Sequence, residues 1–189
     1  MLFSCSLGFS GTPSDLLPLE LGRCVYERGS DGKVLATLTS PTVVGFSVKY
    51  GWSVESLLRD IAAHRPSFHS LIDTGALITG LDNRAVAEFL LAHGLADMEG
   101  VVYLDSSDNQ MILLRSGGHP VPASQCGVAP HRRFSFYDQH HTTGIDMKHS
   151  PNAVAALTLS KDMTLRDYAQ GAFRMRQIGQ GQKIHLYSQ

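Results

Sequence analysis

Cys126, His141 and Asp138 are the side chains with which this sequence could build a nucleophile, its base and an orienting acid. A thiol hydrolase needs a thiolate, an imidazole that takes and returns the proton, and an oxyanion donor. Cys126 follows Gln125 in a loop rich in glycine and proline, while His140 and His141 follow an apolar run with Asp138 close by. A free cysteine is usually a small buried hydrophobe, and no helix start follows Cys126 to lower its pKa. His140, His141 and His149, with Asp138 and Asp146, are also of metal-ligand type. Neighbouring residues on a strand point to opposite faces, so the two adjacent histidines cannot serve one centre; a polar turn is expected here, and no metal site. Asp73-Thr-Gly has the form used by aspartic proteases, but that chemistry requires a second such aspartate and the chain has no second copy.

A different chemistry is suggested further on. Gln170 and Arg174 are spaced i and i+4, which places both on one face of a helix, and such an arginine can be aimed across a cleft at a γ-phosphate. The run Asp167-Tyr-Ala-Gln-Gly-Ala-Phe-Arg-Met-Arg-Gln-Ile-Gly-Gln, closed by Lys-Ile-His-Leu-Tyr, resembles helicase motif VI, with Gln170, Arg174, Gly179 and Gln180 in register. It departs at Gln177, where the motif has its second arginine; Arg176 lies one position early, about 100° around a helix. Upstream, Phe134-Ser-Phe-Tyr-Asp-Gln-His-His-Thr-Thr-Gly-Ile-Asp resembles motif V. There Thr143 and Asp146 offer polar groups to a ribose, a phosphate or a facing lobe, and Gly144 gives the backbone its freedom. Ser10-Gly-Thr-Pro resembles the element that ends a helicase first lobe. The resemblance implies the second RecA-like lobe of a superfamily-two helicase. No G-x-x-x-x-G-K-[ST] is present, because Gly32-Lys33 is followed by Val34. No cofactor is therefore expected in this chain, and ATP with Mg²⁺ only where a first lobe is joined to it.

A second resemblance covers about Leu7 to Tyr187. Leu71-Ile-Asp-Thr-Gly-Ala-Leu-Ile-Thr-Gly, Gln125-Cys-Gly, the segment from Phe136 to Asp146 and that from Asp162 to Arg176 are similar to the carboxyl-terminal region of very large fungal and protist proteins labelled ubiquitinyl hydrolases. The likeness implies that the chain is part of a giant polypeptide, with ubiquitin as a partner and a cysteine-type hydrolase activity attributed to the whole. Three functions are thus open: a helicase-like nucleotide lobe inactive alone, a cysteine deubiquitinase using Cys126 with His140 or His141, and a degenerate lobe kept as a binding scaffold.

These residues need a scaffold, and the 189-residue chain, 43% hydrophobic, has enough apolar material for one domain or a domain with an arm. Sixteen basic and seventeen acidic side chains nearly cancel, so no sequence-blind nucleic-acid sleeve is expected. Three widely spaced cysteines suggest a reducing compartment, and the absence of a long apolar run or a basic leader suggests a cytoplasmic or nuclear protein without a membrane contact.

Alternating strand and helix patterns predict an α/β fold, a mostly parallel RecA-like sheet covered by helices. Residues 1–66 are read as an arm with the end of a first lobe, and residues 67–189 as the lobe. Within the arm, Val34 to Leu38 and Val43 to Val48 are expected strands, and Val54 to Ala62 a helix capped by Ser53. In the lobe, strands are expected at Ser70 to Leu77, Gly100 to Leu104, Met111 to Leu114, Arg133 to Tyr137, Ala153 to Leu159 and Lys183 to Tyr187. Helices are expected from Asn83 to His93 and from Leu165 to Gln177, and a loop from Ser116 to Pro130. Polar residues after several strands fall at carboxyl edges, where open α/β sheets bind ligands.

Overall fold

The computed structural model describes residues 28–142 and 144–188. Ser10-Gly-Thr-Pro, Cys5, Cys24 and Thr143 lie outside the described residues. In chain order the elements are α1 (Ser30–Leu38), β1 (Val44–Val48), α2 (Val54–Ala63), β2 (Ser70–Ile72), α3 (Asn83–His93), β3 (Gly100–Leu104), β4 (Gln110–Leu114), β5 (Val121–Pro122), β6 (Arg133–Tyr137), β7 (Val154–Leu159), α4 (Leu165–Ala172) and β8 (Lys183–Ser188). The strands form one sheet in the order β1-β8-β7-β2-β6-β3-β4-β5. Neighbours from β1 to β3 are parallel, and β4 and β5 add antiparallel strands at one edge. The α/β class with a mostly parallel sheet is therefore present.

Strand residues alternate between two cores because successive side chains leave a strand on opposite sides. Leu71, Val101, Tyr103, Phe134 and Phe136 meet Leu58 and Ile61 of α2 and Val86 and Leu90 of α3. Ile72, Val102, Leu104, Tyr137 and Leu157 meet Leu38 of α1 and Ala169 and Ala172 of α4. Central strands covered on both faces read as nearly continuous apolar runs, as Gly100 to Leu104 does. The helix starts are set by side-chain caps: Ser53 accepts from Ser56 N, Asp82 from Ala85 N and Thr164 from Asp167 N.

Several expected elements differ. Val34 to Leu38 is helical, not extended, and Val34 and Leu38, one helical turn apart, both turn toward the second core; a five-residue apolar run has no period that separates the two states. The described residues before Pro66 share the packing of the rest. There β1 pairs with β8 and α2 lies in the first core. The strand from Ser70 stops at Ile72, because the Asp73 carboxylate captures the amides of Leu77 and Ile78 and turns the chain. The last helix ends at Ala172, five residues before Gln177. From there Arg174 N and Met175 N bond three residues back, to Gly171 O and Ala172 O. Arg174 therefore lies beyond the helix that carries Gln170. The loop from Ser116 to Pro130 contains the short strand β5 and a 3-10 turn over Ala123–Gln125.

Candidate functional site

β2 and β6 are neighbours in register, Ile72 opposite Tyr137, so Asp73 and Asp138 leave the sheet side by side. After β2 the chain runs to α3 on the first face, whereas after β6 it returns across the second, where Met147 is buried. Adjacent strands whose continuations depart to opposite faces open a crevice at their carboxyl ends, the place where open α/β sheets take ligands. A cleft of about 1040 Å³ lies there, bounded by the β2–α3 loop, the β3–β4 turn and the loop after β6.

One carboxylate at this edge serves only the fold. Asp73 is 1% exposed. It accepts from Leu77 N (2.9 Å), Ile78 N (3.0 Å) and Thr158 Oγ1 (2.6 Å), and Thr158 Oγ1 also accepts from Gly75 N (3.0 Å). Burial raises its pKa, with Thr158 and the two amides opposing. Gly75 lets β2 approach β7: a Cβ there would lie 2.8 Å from Ser160 N. Asp73-Thr-Gly is thus a loop lock, in agreement with the missing second aspartate.

Asp138 organises the mouth of the cleft. Its Oδ1 accepts from His140 N (2.8 Å) and His141 N (3.1 Å), and His141 Nδ1 lies 2.8 Å from both oxygens. Asn83 Nδ2 donates to Asp138 Oδ2 and, at 2.9 Å, to Leu104 O, tying α3, β3 and β6 together. On its far side His141 Nε2 meets Asp108 Oδ1 at 3.0 Å. A ring with both nitrogens on carboxylates is satisfied only as imidazolium, since neutral imidazole has one N–H. Burial disfavours the charge, but the hydrogen bonds and charges of Asp138 and Asp108 outweigh it and hold the His141 pKa above its usual value. Burial likewise opposes the Asp138 charge, and the bonds from His141 and Asn83 overcome it, leaving its pKa lowered.

Of the expected hydrolase set, Asp138 and His141 are brought together and Cys126 is not. Cys126 packs against the second core, on the other face of the sheet from α3 and Asn83. Its Sγ accepts weakly from Val128 N at 3.5 Å, and its carbonyl binds Arg133 at the amino end of β6, whereas His141 follows the carboxyl end. Strand rise alone separates those ends by roughly 16 Å. The histidines also diverge. His140 is exposed beside Gln139, and His149 turns to Tyr137 OH at 3.1 Å on the second face. Among the described residues no group of three or more His, Cys, Asp or Glu is placed to hold a metal ion.

Of the residues expected to face a nucleotide, Asp146, Arg174 and Arg176 gather about the turn after β6. Gly144 has φ +80° with open space about it, a backbone state that L side chains disfavour. Arg174 Nη1 donates to Ile145 O at 2.6 Å, Arg176 Nε to Asp146 Oδ1 at 3.2 Å, and Gln110 Nε2 to Asp146 O at 3.1 Å. Arg174 is half-buried, its Nε without a partner, and burial lowers its pKa. Gln170 sits half-buried within α4, away from this turn in the chain.

Asn83 and Asp108 went unrecognised in the sequence. Asn83 stood only as the first residue of an expected helix. Asp108 lay in Asp105-Ser-Ser-Asp-Asn after β3, where a turn rich in Asp and Asn at a carboxyl edge was the available signal. Compared with family models, with curated proteins and with solved structures, the chain matches none of them. Among the described residues no helix is long and apolar enough to cross a membrane.

Proposed function

We propose that this chain is the second, nucleotide-facing lobe of a RecA-like protein of helicase type, active only when joined to a phosphate-binding first lobe. The observation that carries the reading is the meeting of two segments some thirty residues apart in sequence. The glycine-containing turn after β6 is held by the arginines that follow α4, through Arg174 on Ile145 and Arg176 on Asp146. That is the pairing a motif V and motif VI set requires.

The two arginines then have different tasks. Arg174, half-buried and bonded to a backbone carbonyl, positions the turn. Arg176 keeps about half of its side chain exposed and is held by a surface pair to Asp146. Such pairs contribute ~0–1 kcal/mol, so Arg176 can leave Asp146 for a phosphate at little cost. This chain would supply charge to a triphosphate held elsewhere, since its sequence has no G-x-x-x-x-G-K-[ST] run to cradle one. The thiol-hydrolase alternative has no supporting contact, because Cys126 is tied to Arg133 at the amino end of β6 whereas His141 follows its carboxyl end. Hydrolysis of ATP by a polypeptide joining this chain to a P-loop lobe, with Arg176→Ala compared against Arg174→Ala, tests the reading and separates it from a passive scaffold.

A further inference from the structure

We propose that the carboxyl-edge cleft is a carboxylate-binding site which the chain's own Asp108 occupies, so that a ligand enters by displacing Asp108 from His141 Nε2. The site is separate from the Arg174 and Arg176 cluster and does not depend on the nucleotide reading.

The recognising cation is built in place. Asp138 fixes the His141 ring through Nδ1, and Asp138 is itself fixed by Asn83 and by the amides of His140 and His141. The ring is mostly shielded, with 18% of its side chain exposed, and its Nε2 is left to a partner from the cleft. That partner is removable. Asp108 stands at the tip of the β3–β4 turn with 70% of its side chain exposed and a left-handed φ of +60°. An ion pair with one such partner is weak and exchangeable.

The rest of the cleft fits an anion with an apolar body. Its other carboxylates are turned onto their own turns, Asp82 onto Ala85 N and Asp105 onto Ser107 N and Asn109 N. His119 and Arg84, the latter paired through Nε with Glu88 at 2.9 Å, line the same space. Beside them Ile78, Leu81 and Met111 line the wall and keep part of their surface open. With Asp108 in its wall the cleft still leaves about 1040 Å³, at the upper end of pockets that take small organic ligands. The ligand class is therefore a carboxylic acid with an aliphatic or otherwise extended apolar part.

NMR titration of the whole chain with hexanoate, following the His141 ring, tests this directly. Hexanoate should shift the ring resonances of the wild type. Asp108→Gly, which suits the left-handed turn, should bind it about fivefold more tightly, the equivalent of about 1 kcal/mol for the lost competitor. His141→Gln should lose binding. Acetate should bind more weakly, by about fourfold for each methylene that reaches the wall. The proposal is overturned if Asp108→Gly binds no more tightly than wild type, an outcome independent of whether His141→Gln folds. It is overturned too if no variant responds to hexanoate, or if inorganic phosphate competes as well as hexanoate, which would mean attraction by charge alone.

Discussion

Acidification should unlock the turn after β6 through a single histidine. His149 Nε2 lies 3.1 Å from Tyr137 OH, and the same hydroxyl accepts from Met147 N at 3.1 Å. The hydroxyl's one proton faces both His149 Nε2 and, at a longer 3.5 Å, Met147 O, and burial keeps the imidazole beside it neutral. Burial lowers the His149 pKa from 6.5 to about 4; Asp146 opposes the shift and His69 adds to it. Burial also raises the Tyr137 phenol to about 12, so it stays protonated throughout. The unfolded chain takes up this proton near pH 6.5 and the folded chain only near pH 4. In that window the unfolded state binds more protons, and stability falls as pH falls. The full difference corresponds to on the order of 3 kcal/mol, reached below pH 4. His69 and His185, also lowered by burial, act in the same direction, while the raised pKa of Asp73 acts in the opposite one. The comparison of wild type with His149→Gln isolates the effect. Urea unfolding at successive pH values should show a steep loss below pH 6.5 in the wild type and a clearly shallower one in the variant. Parallel profiles would refute the role assigned to the His149–Tyr137 pair.

Other perturbations test other parts of the structure. Asp73→Ala should cost about 3–5 kcal/mol, because Leu77 N, Ile78 N and Thr158 Oγ1 lose their shared acceptor in a buried site; a thermal midpoint unchanged from wild type would contradict the loop lock. Gly144→Val should cost about 1–2 kcal/mol from backbone strain alone, and Gly144→Asn should recover most of it. Equal midpoints for the two would argue against the left-handed turn. A ubiquitin carboxyl-terminal electrophile should label Cys126 slowly and independently of His141, since the two lie at opposite ends of β6; mass-spectrometric mapping of rapid, His141-dependent capture would restore the thiol-hydrolase reading.

What the sequence reveals depends on how far each signal reaches along the chain. Asn83 to His93 and Gly100 to Leu104 were legible because a capped amphipathic helix and a doubly buried strand carry their signals within themselves. The helical state of Val34 to Leu38 was not, since only contact with the second core decides it. The end of α4 at Ala172 was likewise hidden. Gly171 there packs on Thr74, where a Cβ would lie 2.1 Å from Thr74 Oγ1, a contact set by a loop nearly a hundred residues away. At the site, Asp138 and His141 are three residues apart and their pairing was foreseeable. Asp108 reaches the same imidazole from the β3–β4 hairpin, and Cys126 lies by the amino end of β6 whereas His141 follows its carboxyl end; neither relation has a trace in local spacing.

ATP hydrolysis by a polypeptide joining this chain to a P-loop lobe, compared among wild type, Arg174→Ala and Arg176→Ala, separates a nucleotide-facing lobe from a passive one. An arginine that meets the transferring phosphate contributes roughly a thousandfold or more to kcat. Arg176→Ala should therefore abolish turnover while the thermal midpoint holds, because it loses only a surface pair. Arg174→Ala should lower the midpoint through the freed Ile145 turn and reduce turnover less. Hydrolysis at the wild-type rate by a folded Arg176→Ala protein would contradict the assignment of this chain as a nucleotide-facing lobe.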